Sequence, residues 1–264
     1  MSGPQLPSAG YRERNSTADR ALDILNSFTE DQPVLSGSEL AERLGVARST
    51  AYRYLQSLVG SHFLEEAPNG GFRLGLRVLE LAWVARRNYG LSEVALPIMQ
   101  DLARRVDETV LLTRRTGNLV VCVDRAEVHT GPVRISYERG STLAINAGAA
   151  AQVLLAWTPT EQVRTLLGGT ELHRFTPQTV VDVDALMTRL ERIHRDGYAI
   201  SRSELDQDIL GIGAPIWDER GQVRAAVSVA ALASRVPKKA ERGIATQVQR
   251  AAGEITERLT LVDG

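Results

Sequence analysis

Between Val46 and Leu64 the chain carries two arginines, Arg48 and Arg53, and no acidic residue. On a helical wheel through 48–59, Ser49, Tyr52, Arg53 and Gln56 share one side, while Ala51, Tyr54, Leu55 and Leu58 share the other. An arginine offers the fork that guanine O6 and N7 accept, a glutamine can pair with adenine, and hydroxyls suit phosphate oxygens. Arg48, Ser49 and Thr50 open this helix, where backbone N–H groups also favour phosphate. The chemistry on offer is recognition of double-stranded DNA through its major groove. A solvated polar face would look the same on the wheel, so the meaning of the arc depends on the elements that present it.

Covalent chemistry has weaker support. The four histidines, His62, His129, His173 and His194, have no nucleophile or metal ligand near them in sequence. The chain has no nucleophile elbow, phosphate loop, dinucleotide fingerprint or paired-histidine metal motif. Glu204, Asp206 and Asp208 form an acidic cluster that could hold a cation, but a solvated loop before a strand accounts for it. Cys122 is the single cysteine, so it forms no disulfide within the chain, and its apolar run 119–123 reads as a buried strand. No catalytic residue, metal or cofactor is expected.

The elements around the polar arc read in a definite order. A first helix opens at Ser16 or Thr17 and places Ala18, Ala21, Leu22, Leu25 and Phe28 on one face. A second runs over 38–44 and stops at Gly45, a natural left-handed terminator. The arc-bearing helix follows over 48–59. Two short strands near 63–65 and 72–74 are joined by Ala67-Pro68-Asn69-Gly70-Gly71, strong hairpin chemistry. This is the order of a winged helix-turn-helix, assigned here to residues 16–75. Arg73 in the wing, with Arg12, Arg14 and Arg20 in or near the tail, can add contacts to the DNA backbone. Residues 1–15 read as a disordered tail.

A helix over 76–89 follows, assigned as a linker (76–90). Val78, Ala82, Ala85 and Tyr89 line one of its faces, and Leu76, Leu79 and Trp83 nearly the opposite one. A helix apolar on two sides must be covered on two sides. Either it packs against a symmetry mate, or it lies inside one monomeric domain. From Leu91 to Gly264 the pattern becomes α+β: a helix over 91–106, strands at 109–114 and 119–125, and a run at 133–137. Helices at 147–157, 160–167 and 184–195 come next, then strands at 198–202, 211–217 and 223–231 and a closing helix over 238–261. This reads as one sensor-type domain.

Composition sets the limits. Net charge over the 264 residues is −1, so any DNA affinity comes from a local patch. Residues 1–90 hold ten arginines, no lysine and ten acidic residues. One such head should bind weakly alone. No apolar run approaches the roughly 20 residues that span a bilayer, which predicts a cytoplasmic protein without a membrane partner. Two other classes stay open at this point: a small-molecule enzyme with a helical N-terminal module, and a sensor or interaction protein whose helix-turn-helix does not bind DNA.

The string 40–55, Leu-Ala-Glu-Arg-Leu-Gly-Val-Ala-Arg-Ser-Thr-Ala-Tyr-Arg-Tyr-Leu, closely resembles the helix-turn-helix of the IclR family of bacterial regulators. The flanks at 20–25 and 72–75 agree, as do 174–179, 197–199 and 211–216. The resemblance covers residues 18–260 and implies a winged helix-turn-helix, a linker helix and a GAF-like effector domain. It also implies a homodimer, often paired into a homotetramer, that represses or activates operons in response to small organic acids or aromatic compounds. By alignment it places the effector against Gly148, Ala149 and Ala150 and against Ser201, Gly211, Ser228 and Ala230. The sequence departs from the family at Gln152, where lysine is frequent, at Asn146, where histidine is frequent, and at Asp208, where glycine is usual. Gly211 stands where the family can present a cysteine.

Overall fold

The computed structural model describes residues 16–263, except Glu30, Asn69, Tyr89 and 129–136. The chain divides into two compact units that meet at residues 88 and 89. The expected tail, with Arg12 and Arg14, lies outside the described residues, as do His129 and most of the run 133–137.

In the first unit, α1 (Ser16–Asn26), α2 (Gly37–Leu44) and α3 (Arg48–Gly60) precede β1 (Leu64–Glu66), β2 (Phe72–Leu74) and α4 (Leu76–Asn88). A capping box starts α2: Glu39 N–H donates to Ser36 Oγ at 3.2 Å, and Ser36 N–H donates to Glu39 Oε2 at 2.7 Å. Gly45 ends α2 at φ 62°, donating its N–H to Ala41 and Glu42 carbonyls, and this left-handed turn re-aims the chain into α3. Ile24, Leu40, Leu55, Leu58, Leu64 and Phe72 form the core. The expected α1 face needs correction. Ile24 is fully buried, whereas Leu22 is 57% exposed and Ala18 is also exposed. The stripe that faces α3 runs through Ala21, Ile24, Leu25 and Phe28, the i, i+3, i+4, i+7 set.

The second unit holds α5 (Leu91–Val106), β3 (Thr109–Thr116), β4 (Leu119–Ala126), β5 (Thr142–Leu143), α6 (Ala149–Ala156), α7 (Thr160–Gly168) and α8 (Val183–Asp196). It is completed by β6 (Ala199–Arg202), β7 (Ile209–Trp217), β8 (Val223–Leu232) and α9 (Lys238–Asp263). Its six strands form one sheet in the order β5-β4-β3-β8-β7-β6, with every named pair antiparallel. On β8, Ala225, Val227, Val229 and Ala231 join the core made with α5 and α9. Ala226 faces α6 and α8 instead. A sheet covered on both faces has no polar side to alternate, which is why β8 reads as a nearly continuous apolar run.

Candidate functional site

In the first unit, Arg48, Ser49, Arg53 and Gln56 are exposed and Thr50 is half-buried. Ala51, Leu55 and Leu58 on the other side are buried. Ala47, the N-cap of α3, supplies no side-chain hydrogen bond, so the first turn keeps open N–H donors beside Arg48 and Ser49. Among the described residues, neither Arg48 nor Arg53 makes an ion pair. Two other expected contact residues are more engaged. Tyr52, although 46% exposed, sets its ring edge-on to Phe72 at 6.2 Å and covers Gly37. Arg73 pairs with Glu65 at 3.0 Å across the wing hairpin. On α4, Leu76, Leu79 (66%) and Trp83 (59%) are exposed.

In the second unit, the seven residues aligned with an effector site line one cavity of about 30 Å³. Register explains their convergence. Ser201 pairs with Gly211 and Gly211 with Ala230, one row across three strands, while Ser228 pairs with Gly213 two positions along the same face. Opposite this row stands the first turn of α6, whose N-cap Gly148 adopts φ 87°. A Cβ on Gly211 would lie 3.3 Å from Ala149 Cβ and 3.4 Å from its nitrogen, so glycine there lets the helix start touch the sheet. The N–H groups of Ala149, Ala150 and Ala151 have no partner within the helix by its geometry. Among the described residues, no other group hydrogen-bonds the Ser201 or Ser228 hydroxyl, although both residues are nearly buried.

Further lining residues that had not been expected include Leu111, Tyr137, Leu143, Leu205 and Ile209. Leu111 and Ile209 follow from strand alternation. Leu205 lies in a loop with no periodic signal, yet its Cδ1 would be 2.7 Å from a Cβ at Gly148. Burial, then the charge of Asp206, pushes the Tyr137 phenol up to about 12, so it stays a neutral donor at neutral pH.

The acidic cluster is not one solvated loop. Glu204 is buried; it accepts from Gly148 N–H at 3.2 Å and Gln152 Nε2 at 2.6 Å and pairs with Arg189. Asp208 instead accepts from Ser234 N–H at 2.9 Å and its hydroxyl at 2.6 Å. The burial of Glu204 follows from its donors: α6 begins with an N–H aimed at it, and α8 brings a guanidinium. Gln152 Oε1 is buried without a hydrogen-bond partner. Asn146 bridges the carbonyls of His173 (3.0 Å) and Val180 (3.2 Å). Cys122 is buried in β4, and burial raises its thiol to about 11. His173 meets Phe175 edge-on at 4.7 Å and His194 lies tilted against Trp157 at 5.3 Å, and the His62 carbonyl lies against Gly75.

Residues 17–68 match the IclR helix-turn-helix domain, and residues 85–257 match the C-terminal domain of the bacterial transcriptional regulator IclR. The chain belongs to the IclR family. Among its relatives, the transcriptional regulator KipR of Bacillus subtilis is 30% identical, covering 94% of this chain and 98% of KipR. The repressor AllR of Klebsiella pneumoniae is 30% identical, covering 89% of this chain and 85% of AllR. An IclR homologue of Microbacterium hydrocarbonoxydans, solved with 4-hydroxybenzoate, superposes with a TM-score of 0.80. It is 28% identical and covers 93% of this chain and 99% of its own. This IclR-family chain is thus a DNA-binding transcriptional regulator, not an enzyme. Its two units are a winged helix-turn-helix and a GAF-like α+β domain. No helix among the described residues is long and apolar enough to cross a membrane.

Proposed function

We propose that this regulator is a cytoplasmic repressor that binds operator DNA as a homodimer, with further pairing to a homotetramer, and is controlled by a small organic or aromatic acid. The observation that carries the DNA assignment is the exposed side of α3, where Arg48 and Arg53 make no ion pair among the described residues and stand above an uncapped helix start. Arg53 and Gln56 read base edges, while Arg48, Ser49 and Thr50 hold phosphates. Arg73 contributes after release from Glu65, and Tyr52 supports the reading side chains from below. The domain division is the wing and its helices to residue 75, the linker to 90 and the effector domain beyond.

The effector takes the cavity at the start of α6 beside Gly148, its acid group on the N–H donors of Ala149 and Ala150, because the Gly148 N–H already donates to Glu204. Its body lies against Ser201, Gly211, Ser228 and Ala230. A cavity of about 30 Å³ holds little more than water, so an effector of ring size displaces Leu205. That displacement is the mechanical signal. The exposed Leu76, Leu79 and Trp83 support pairing of two α4 helices, because a wide apolar stripe left in water is unfavourable.

Fluorescence anisotropy on DNA from upstream of the gene tests the groove assignment. Arg53→Ala should lower operator affinity by about 1–3 kcal/mol and relax base preference; unchanged affinity and selectivity would refute it. A thermal-shift screen of organic and aromatic acids, followed by operator titration with each hit, tests the effector. The bound acid should shift operator affinity by about 1–3 kcal/mol, and equal affinity at saturation would remove the switch.

A further inference from the structure

The far end of α6, where Trp157 forms its C-cap, carries a second concavity. This recess of about 480 Å³ is lined by Arg115, Leu154, Trp157, Thr158, Gln162 and Arg224 among others. Among the described residues, no acidic side chain lines it. Arg115 projects from β3 and is half-buried. Its guanidinium donates to Gly117 O at 2.9 Å and to Thr158 Oγ1 at 3.3 Å. Both acceptors are neutral. An adjoining recess shares Arg115 and includes Glu161, which makes no ion pair with it.

We propose that this recess binds a small oxyanion, a phosphate or carboxylate group, with Arg115 as its principal ligand. A guanidinium withdrawn from water without a counter-charge is unfavourable, and an oxyanion entering the recess supplies that charge along with bidentate acceptors. Burial alone holds the Arg115 pKa below that of a free guanidinium, with no acidic neighbour opposing it. The local wiring keeps the arginine in place. Thr158 Oγ1 donates to Leu154 O at 3.2 Å, covering a terminal carbonyl of α6, and so presents its lone pairs to Arg115. The amides of Gln162 and Gln222 supply neutral donors at the rim. Arg224 also lines the recess but has a partner of its own, so the site rests on Arg115. The indole of Trp157, held edge-on by Trp217 at 5.2 Å, gives a planar wall for an apolar body next to the anion. This reading does not depend on the effector cavity at the other end of the helix.

The chain has three tryptophans, and Trp157 and Trp217 are the two beside the recess. In full-length Trp83→Phe protein, tryptophan emission is followed while inorganic phosphate, then benzoate, is titrated at constant ionic strength. A saturable change with either anion is expected, and which one binds more tightly identifies the oxyanion. Arg115→Gln should weaken that binding by about tenfold or more. Gln162→Ala, at an exposed position with no folding role, should weaken it by a smaller factor. Three results would overturn the proposal: no saturable change with either anion, binding unaltered in both variants, or an emission change that tracks self-association in parallel sedimentation runs.

Discussion

Glu204→Gln removes one charge and almost no volume from the cluster that fastens the start of α6. All three partners of the carboxylate are donors: Gly148 N–H, Gln152 Nε2 and the Arg189 guanidinium. A glutamine offers one acceptor oxygen to three donors and turns its own NH₂ against another. Removing one partner of a buried pair costs about 3–5 kcal/mol. The Arg189 side chain keeps 28% of its surface in water, so part of its charge is recovered by solvent and about 2–3 kcal/mol is the reasonable loss. For a domain of this size that lowers Tm by roughly 4–12 °C, read by circular dichroism. Gln152→Met provides the contrast. It deletes a donor to Glu204 but also deletes the buried Oε1 that lacks a partner, so it should stay within about 1 kcal/mol of the parent. The reasoning fails if Glu204→Gln melts with the parent, or if Gln152→Met proves the more damaging change.

Three other outcomes are expected. Gly37→Ala puts a Cβ 2.8 Å from the Tyr52 ring and turns the tyrosine out. The gain in helix propensity should keep stability within about 1 kcal/mol, while operator affinity falls, as paired urea and anisotropy titrations would show. Ser36→Ala should destabilise the first unit by about 1 kcal/mol in urea. Hydrogen bonding from the Ser36 side chain is the main cause that holds the Glu39 carboxyl below its ordinary value. The contribution is therefore present above the unfolded pKa and lost as pH falls through the folded one, so the variant's deficit should shrink in acid. Cys122 should resist a thiol-specific disulfide reagent near neutral pH and react fully in denaturant. Burial lifts its folded pKa to about 11, so its contribution to stability is whole below the unfolded thiol pKa and fades as pH climbs through the folded value.

Much of the DNA-facing unit was legible because its signals are local. Gly45, the Asn-Gly-Gly turn and the apolar spacing of α3 each act within a few residues, so the arc of Arg48, Ser49, Arg53 and Gln56 emerges from periodicity alone. On α1 the periodic reading chose Leu22 over Ile24, because two apolar residues two positions apart fit different wheels equally well until α3 selects one. Tyr52 stands on the same exposed side, and only the approach of Gly37 and Phe72 shows that its ring also packs within the domain.

The cavity divides along the same line. Ser201, Gly211 and Ala230 are far apart in the chain, and no spacing rule joins them; resemblance to a family aligned them, and antiparallel register brought them into one row. Glu204 shows the limit most clearly. An acidic run before a strand reads as solvated, since charge avoids burial unless it is paired. Its partners, Gly148, Gln152 and Arg189, come from two helices, and α6 and α8 meet only when the chain has folded. By itself the sequence determined the elements, their order and the recognition helix, because those depend on neighbours along the chain. The tertiary structure decided which charges withdrawn from water meet an opposite charge, as Glu204 does, and which, like the half-buried Arg115, meet only neutral acceptors, because that depends on partners brought together across the chain.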